Sequence, residues 1–265
     1  MVQPKETINE FMSLTNCTKD TATKYLSRNS WALSYALNEY YDKEQGGFVN
    51  KKPVKYSHEL VETFDKYADS KRCITVENLM KYIEDLGYCL EDLATICLAE
   101  LLKCEKIGKD ITEQQFLSSW TEHGCKNMIH MKHELQDLEE QLHQDQDYFS
   151  HIYNYTYDLI VEESERHLNI DTAVEYWELF FDNAHYAVTI SDSRLKTWVE
   201  FYTKKSGRST VTKDTWTMFL KFVIKFPDNE SLKRGYDEMD AWPLVFDEYY
   251  EYMDEALGIN EQIGR

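Results

Sequence analysis

Thr210–Phe226 reads TVTKDTWTMFLKFVIKF, and Tyr236–Met253 reads YDEMDAWPLVFDEYYEYM. These two stretches decide the fold class. In the first, Trp216, Phe219, Leu220 and Val223 recur at the spacing of one helix face. Thr212 is placed to cap that helix, and Asp214 falls in its first turn, where the helix dipole favours an anion. In the second, Trp242, Val245, Phe246, Tyr249, Tyr250 and Met253 repeat the pattern, with Pro243 expected in the first turn. Tyr236 to Ala256 carries eight acids and no Lys or Arg. One face packs, and the other offers carboxylates to something basic.

The same periodicity runs outward through most of the 265 residues, and only 9 Gly and 4 Pro interrupt it. The expectation is an all-α protein. Residues 5–43 predict a small three-helix bundle: Ile8, Phe11, Met12 and Leu14, then Ala22, Tyr25 and Leu26 behind a Thr18 cap, then Trp31, Leu33, Ala36, Leu37 and Tyr40 behind Ser30. Residues 44–56, with Gly46-Gly47 and Pro53, read as a linker. Helices then follow one another over 57–257, including a charged one at Glu134–Phe149 (ELQDLEEQLHQDQDYF).

Three twelve-residue segments, Tyr67–Asn78, Cys104–Gln115 and Lys204–Thr215, each join two helices. Each places an apolar residue (Ile74, Ile111, Val211) before a capping threonine (Thr75, Thr112, Thr212). This is the frame of an EF-hand. A calcium loop opens with Asp and closes with Glu. Here the openings are Tyr67, Cys104 and Lys204 and the closings Asn78, Gln115 and Thr215, so the frames are read as metal-free and kept for packing.

The net charge of −19 argues against nucleic acid or an anionic membrane as partner and suits a basic protein. No apolar run is long enough to span a bilayer, and the first ten residues lack a signal-peptide apolar region, so the expected setting is inside the cell. The six cysteines form no Cys-x-x-Cys pair and read mostly as reduced core thiols. His123 with Cys125, and His130 with His133, fall short of a zinc set. No nucleophile with its base, no phosphate loop, no metal and no cofactor site is evident.

The KDTW…AWPLVFDEYYEYM signature, together with LGYCLEDLATICLAELL and IYNYTYDLI…YWELFF, resembles the defective-in-cullin-neddylation proteins, particularly fungal ones, from about residue 5 to 255. The N-terminal bundle resembles their ubiquitin-associated (UBA) domain, and residue 57 onward their potentiating-neddylation (PONY) domain. The resemblance implies a scaffold-type co-E3 without covalent catalysis. It would join the cullin C-terminal domain, its RING-type partner and the N-terminally acetylated E2 of the Nedd/Rub modifier.

The family's Asp–Ala–Asp cullin patch falls on Asp214, Ala241 and Asp247. The walls of its acetyl-methionine pocket fall on Val76, Leu79, Leu98, Ile111, Leu159 and Leu179, and acetylation would remove a charge that is costly to bury. UBA domains bind ubiquitin through a loop after the first helix and the end of the third. Here these are Leu14, Thr15 and Asn16, with Leu37, Tyr40 and Tyr41. The expected location is cytoplasmic and nuclear. Two other readings stay open: a calcium-regulated EF-hand adaptor with a ubiquitin-binding head, and a catalytic ligase with an acceptor cysteine, Cys125 first.

Overall fold

The computed structural model describes residues 4–257 except 16, 30, 34, 38, 41–55, 182–184 and 238. The chain divides into two units, Met1–Lys55 and Tyr56–Arg265. In the first, α1 (Pro4–Thr15) and α2 (Lys19–Arg28) are followed by helical backbone at the described positions from 33 to 40. Thr18 caps α2, its hydroxyl accepting from the Thr21 amide. Ile8, Phe11, Ala22, Tyr25, Leu26 and Ala36 form a small core. Tyr40 closes it with ring contacts to Phe11 (5.5 Å) and Tyr25 (5.2 Å). Trp31 is not in a helix: its φ is +62° and its side chain is exposed. The expected Ser30 cap lies outside the described residues.

The second unit is built from helix–loop–strand–helix segments. In order, these are α3 (His58–Tyr67), β1 (Cys73–Ile74) and α4 (Val76–Leu86), then α5 (Ala94–Leu101), β2 (Ile111–Thr112) and α6 (Glu113–Glu122). After α7 (Met128–Gln144) come α8 (Gln146–Ile160), β3 (Leu168–Asn169) and α9 (Ile170–Phe181), then α10 (Asp192–Glu200), β4 (Thr210–Val211) and α11 (Lys213–Lys225). A short π turn, Phe201–Lys205, ends α10, and α12 (Asn229–Gly235) and α13 (Leu244–Leu257) complete the described residues.

The strands pair two by two, antiparallel, with Ile74 opposite Ile111 and Leu168 opposite Val211. All four side chains are buried. Thr75, Thr112 and Thr212 each cap the following helix as expected. Among the described residues there are four such segments, not three. The fourth uses Asn169, whose carboxamide oxygen accepts from the Asp171 amide at 2.8 Å in place of a threonine hydroxyl.

Two further sequence expectations are corrected. The charged segment Glu134–Phe149 is not one helix. Asp145 breaks it, ending α7 and capping α8 by accepting from the amides of Asp147 and Tyr148 (2.8 and 3.1 Å). The last helix starts at Leu244, so Trp242 and Pro243 precede it. Trp242 instead folds back edge-on against Phe222, ring centroids 5.5 Å apart.

At the centre Trp216 stacks on Tyr153 (4.5 Å) and on Trp177 (5.9 Å). The Trp216 indole N–H donates to the Tyr153 carbonyl (2.9 Å), the Tyr153 hydroxyl donates to the Trp216 carbonyl (3.1 Å), and the Trp177 indole donates to that hydroxyl (3.0 Å). Trp198 is sandwiched between Phe219 (4.6 Å) and Phe246 (5.3 Å), tying α10, α11 and α13 together.

Surface carboxylates are held below their ordinary range by hydrogen-bonded cations: Asp85 by Lys66, Glu113 by Arg72, Glu122 by Lys103 and Asp240 by Lys225. A depressed folded-state pKa contributes stability above the unfolded value and loses it as pH falls through the folded one. The urea midpoint is therefore expected to hold from neutrality down to about pH 5, then to fall below about pH 4. A midpoint that rose on acidification would contradict these pairings.

Candidate docking sites

Asp214 stands exposed in the first turn of α11, after the Thr212 cap. Its neighbour Lys213 is engaged by Asp158, Nζ to Oδ2 2.6 Å. Along α11, Asp214 lies about 12 Å of helix rise from Phe222, where α11 meets Phe246.

Ala241 is exposed between two fixed neighbours. Asp240 is bonded to Lys225 (2.8 Å), and Trp242 is wedged against Phe222 with the Lys225 ammonium 5.4 Å from its ring. Asp247 is half-buried in the first turn of α13 and accepts the Tyr236 hydroxyl. Tyr236 stacks on Tyr250 at 4.6 Å, so the carboxylate is held in one orientation. Arg208 takes Glu248 out of the acidic surface with two hydrogen bonds (2.5 and 3.2 Å). Met239 and Leu244, 91% and 65% exposed, flank Ala241. Sequence periodicity passed over both, because neither belongs to the packed face.

A second site is a cavity of about 480 Å³. The α4 stripe Val76, Leu79, Met80 and Ile83 forms one wall, and Leu159 and Leu179 form others. Leu98 and Ile111 do not line it: both are core residues, Ile111 lying across from Ile74 in the small sheet. Leu90, Ile107 and Tyr176 line it instead. Val76, Met80, Leu90 and Ile107 are 43%, 40%, 51% and 61% exposed, a concentration of unburied apolar surface at one place.

The loop that carries Ile107 is fixed by its backbone. Its amide donates to the Leu159 carbonyl (3.1 Å), and Lys106 Nζ donates to the carbonyls of Asp158 and Val161, both at 2.6 Å. A lysine on the last carbonyls of α8 is also favoured by the helix dipole. Gly108 follows with φ +82°, a conformation that favours glycine.

In the N-terminal unit Leu14 is 53% exposed and Thr15 is half-buried, its hydroxyl donating to the Phe11 carbonyl (2.7 Å). Leu37 and Tyr40 are half-buried against the small core. Asn16 and Tyr41 lie outside the described residues. Tyr35, 69% exposed, and Trp31 add apolar surface that the sequence reading placed in the core or left aside.

His123 Nδ1 sits 2.7 Å from Glu134, and His130 Nδ1 accepts from the Lys126 amide (3.4 Å), so both belong to the turn into α7. Among the described residues, no group of three or more His, Cys, Asp or Glu is arranged to hold a metal. Burial pushes the thiols of Cys104 and Cys125 up to about 11, and that of Cys97 to about 12. Cys97 and Cys125 are buried, Cys17, Cys73 and Cys104 are half-buried and Cys89 is exposed, so fewer of the thiols are core residues than expected.

Two family models match the chain: Cullin binding over residues 130–252 and UBA-like domain over residues 5–47. Three curated relatives, from Candida glabrata, Eremothecium gossypii and Saccharomyces cerevisiae, are each called Defective in cullin neddylation protein 1. The one from Candida glabrata is 43% identical over 95% of this chain and 96% of its own. Those from Eremothecium gossypii and Saccharomyces cerevisiae are 43% and 39% identical, over 94% and 95% of this chain and 95% and 94% of theirs. The chain belongs to the family of defective-in-cullin-neddylation proteins, with a UBA-like domain at its N-terminus and a cullin-binding family match in its C-terminal half.

Proposed function

We propose that this chain promotes cullin neddylation as a scaffold, binding a cullin and a modifier-charged E2 at once and forming no covalent intermediate. Asp214, Ala241 and Asp247 would meet basic residues of the cullin C-terminal domain, alongside its RING-type partner. The apolar cavity would take the acetylated methionine of the E2. Holding both raises the effective concentration of the thioester beside the acceptor lysine. The observation that carries this reading, beside the family, is the cavity: a preformed apolar socket ringed by exposed Val76, Met80, Leu90 and Ile107, on the same unit as the acidic surface.

Burial favours an uncharged terminus, because a bare ammonium would lose its hydration there. Burial raises the pKa of the Cys97, Cys104 and Cys125 thiols, which makes these three poor nucleophiles and argues against Cys125 as an acceptor. The UBA-like head, over 5–43 with a linker at 44–56, would bind ubiquitin, and residues 57–257 would form the scaffold. The location would be cytoplasmic and nuclear.

The calcium-regulated alternative is disfavoured by the loop ends. Where a calcium loop closes with a bidentate Glu, the Asn78 carboxamide donates to the Tyr67 carbonyl (2.9 Å), and the Gln115 carboxamide donates to those of Leu102 and Lys103 (2.8 and 3.2 Å). These two loops are closed by an amide donor, which cannot coordinate a cation through the same nitrogen. We read the paired segments as EF-hand-type frames that serve packing.

The test is reconstituted transfer of modifier from charged E2 to cullin. Val76→Asp is expected to remove about tenfold or more of the acceleration by placing a carboxylate in the socket. Cys125→Ser is expected to leave it unchanged. A reductant-sensitive adduct on this chain, or full activity with Val76→Asp, would overturn the scheme.

A further inference from the structure

Among the described residues, Arg194 is the one charged side chain that is buried, 1% exposed in the first turn of α10. Its depth and its place both disfavour a cation: burial strips its hydration, and the start of a helix carries positive potential. Burial pushes its pKa down from the ordinary guanidinium value. Asp228 favours the charge only through space, its carboxylate being taken by the Ser231 amide (2.7 Å). Nε and Nη2 have no hydrogen-bond partner among the described residues. An apolar side chain of similar size would fill this place at less cost.

What the guanidinium adds is one donor at one position. Nη1 donates to the carbonyl of Phe226, the residue that ends α11, and the guanidinium carbon lies 5.7 Å from the Phe222 ring centroid. Pro227 follows, so the helix stops there and the chain turns away through α12 towards Ala241. Phe226 is where that excursion rests. Its ring lies 6.0 Å from those of both Tyr236 and Trp242, and a Cβ at Gly235 would come within 3.2 Å of it. Tyr236 in turn orients Asp247, and Trp242 directly follows Ala241. On its other side the Arg194 carbonyl accepts the Tyr249 hydroxyl (3.4 Å), which ties α10 to the helix that carries Asp247.

We infer that Arg194 is a buried positioning residue for the surface formed by Ala241 and Asp247, acting through Phe226, Tyr236 and Trp242. The inference rests on the proposed use of that surface and adds what holds it in shape. Being buried, Arg194 touches no partner itself. Its guanidinium fixes Phe226 from beneath, Phe226 seats the Tyr236 and Trp242 rings, and these set the Asp247 carboxylate and the Ala241 backbone. The buried charge costs stability and yields a preformed surface.

The test is titration of the full chain with a cullin C-terminal fragment, set beside urea unfolding of each variant. Arg194→Met keeps the bulk and removes the charge and the donor. It is expected to unfold at an unchanged or higher urea concentration. Its affinity for the fragment is expected to fall about five- to tenfold, the scale of one or two side chains that must now be ordered on binding. Arg194→Lys restores a cation and a donor and is expected to recover most of that loss. In an Asp247→Lys background Arg194→Met is expected to cost nothing more, because the group it positions is gone.

Undiminished binding by Arg194→Met would overturn the inference, as would a loss that persists in the Asp247→Lys background or one that only tracks a lowered urea midpoint. Phe226→Leu supplies an independent arm should Arg194→Met fail to fold: it keeps the guanidinium and the carbonyl and removes the ring. It is expected to lose the same factor, and full binding by it would equally overturn the inference. Asp247→Lys separates the two ideas. Full binding by that variant strikes the proposed use of the surface, whereas a loss there with none in Arg194→Met strikes only the role of Arg194.

Discussion

Asp247→Lys is expected to weaken binding of a cullin C-terminal fragment about thirtyfold or more, because on the proposed interface it would remove one partner of a well-oriented charge pair, which is costly, and reversal adds repulsion. The size follows from preorganisation. Tyr236 donates to the Asp247 carboxylate and is itself held by stacking on Tyr250, so the free chain already presents the carboxylate in one direction. Asp214 is exposed without such a prop, and Asp214→Lys is expected to cost less. Tyr236→Phe keeps the charge but releases its orientation, and should fall between wild type and Asp247→Lys. Asp247 also sits in the first turn of α13, where reversing an anion costs about 0.3–1 kcal/mol of stability. Thermal melting will separate that small loss from the binding loss. Undiminished cullin binding by Asp247→Lys would remove this surface from the interface.

The largest effect on stability is expected from Trp216→Ala, about 3–5 kcal/mol by chemical denaturation. The indole is fully buried, stacked on both Tyr153 and Trp177. Its removal leaves a cavity and deprives the Tyr153 carbonyl of its donor. Trp216→Phe keeps a ring in place and loses the N–H, so it should cost clearly less. Asp214 lies two residues before Trp216 on the same helix, and the alanine variant should lose the acidic surface as it loosens α11. A loss below about 1 kcal/mol would mean that the aromatic centre is not cooperative with the rest.

The helices that the sequence made legible are those with both a cap and a stripe. Thr75, Thr112 and Thr212 announce α4, α6 and α11, and each hydroxyl accepts the expected amide. The break at Asp145 was not legible, because acids and leucines continue on both sides while the capping bonds are made by a single carboxylate. Strand β3 escaped because Asn169 does the work done elsewhere by threonine. Pro243 was placed inside a helix it precedes, since Trp242 has the right spacing but packs back onto Phe222.

The cavity divides in the same way. Val76, Leu79, Leu159 and Leu179 line it, and Leu98 and Ile111 turn into the core. Leu90 and Ile107 come from loops, where no period marks which way a side chain faces. Periodicity tells inside from outside along a helix, but it does not tell a filled interior from the wall of a hollow.

The two miniature sheets bear on how the molecule assembles. Ile74 and Ile111, and likewise Leu168 and Val211, find each other across about forty residues of intervening chain, and loop closure of that length must precede the reward of pairing. Each pair is a clasp that shuts only after its flanking helices have come together. The larger unit should therefore collapse more slowly than a simple up-and-down bundle of its size, with the two clasps closing as separate late events.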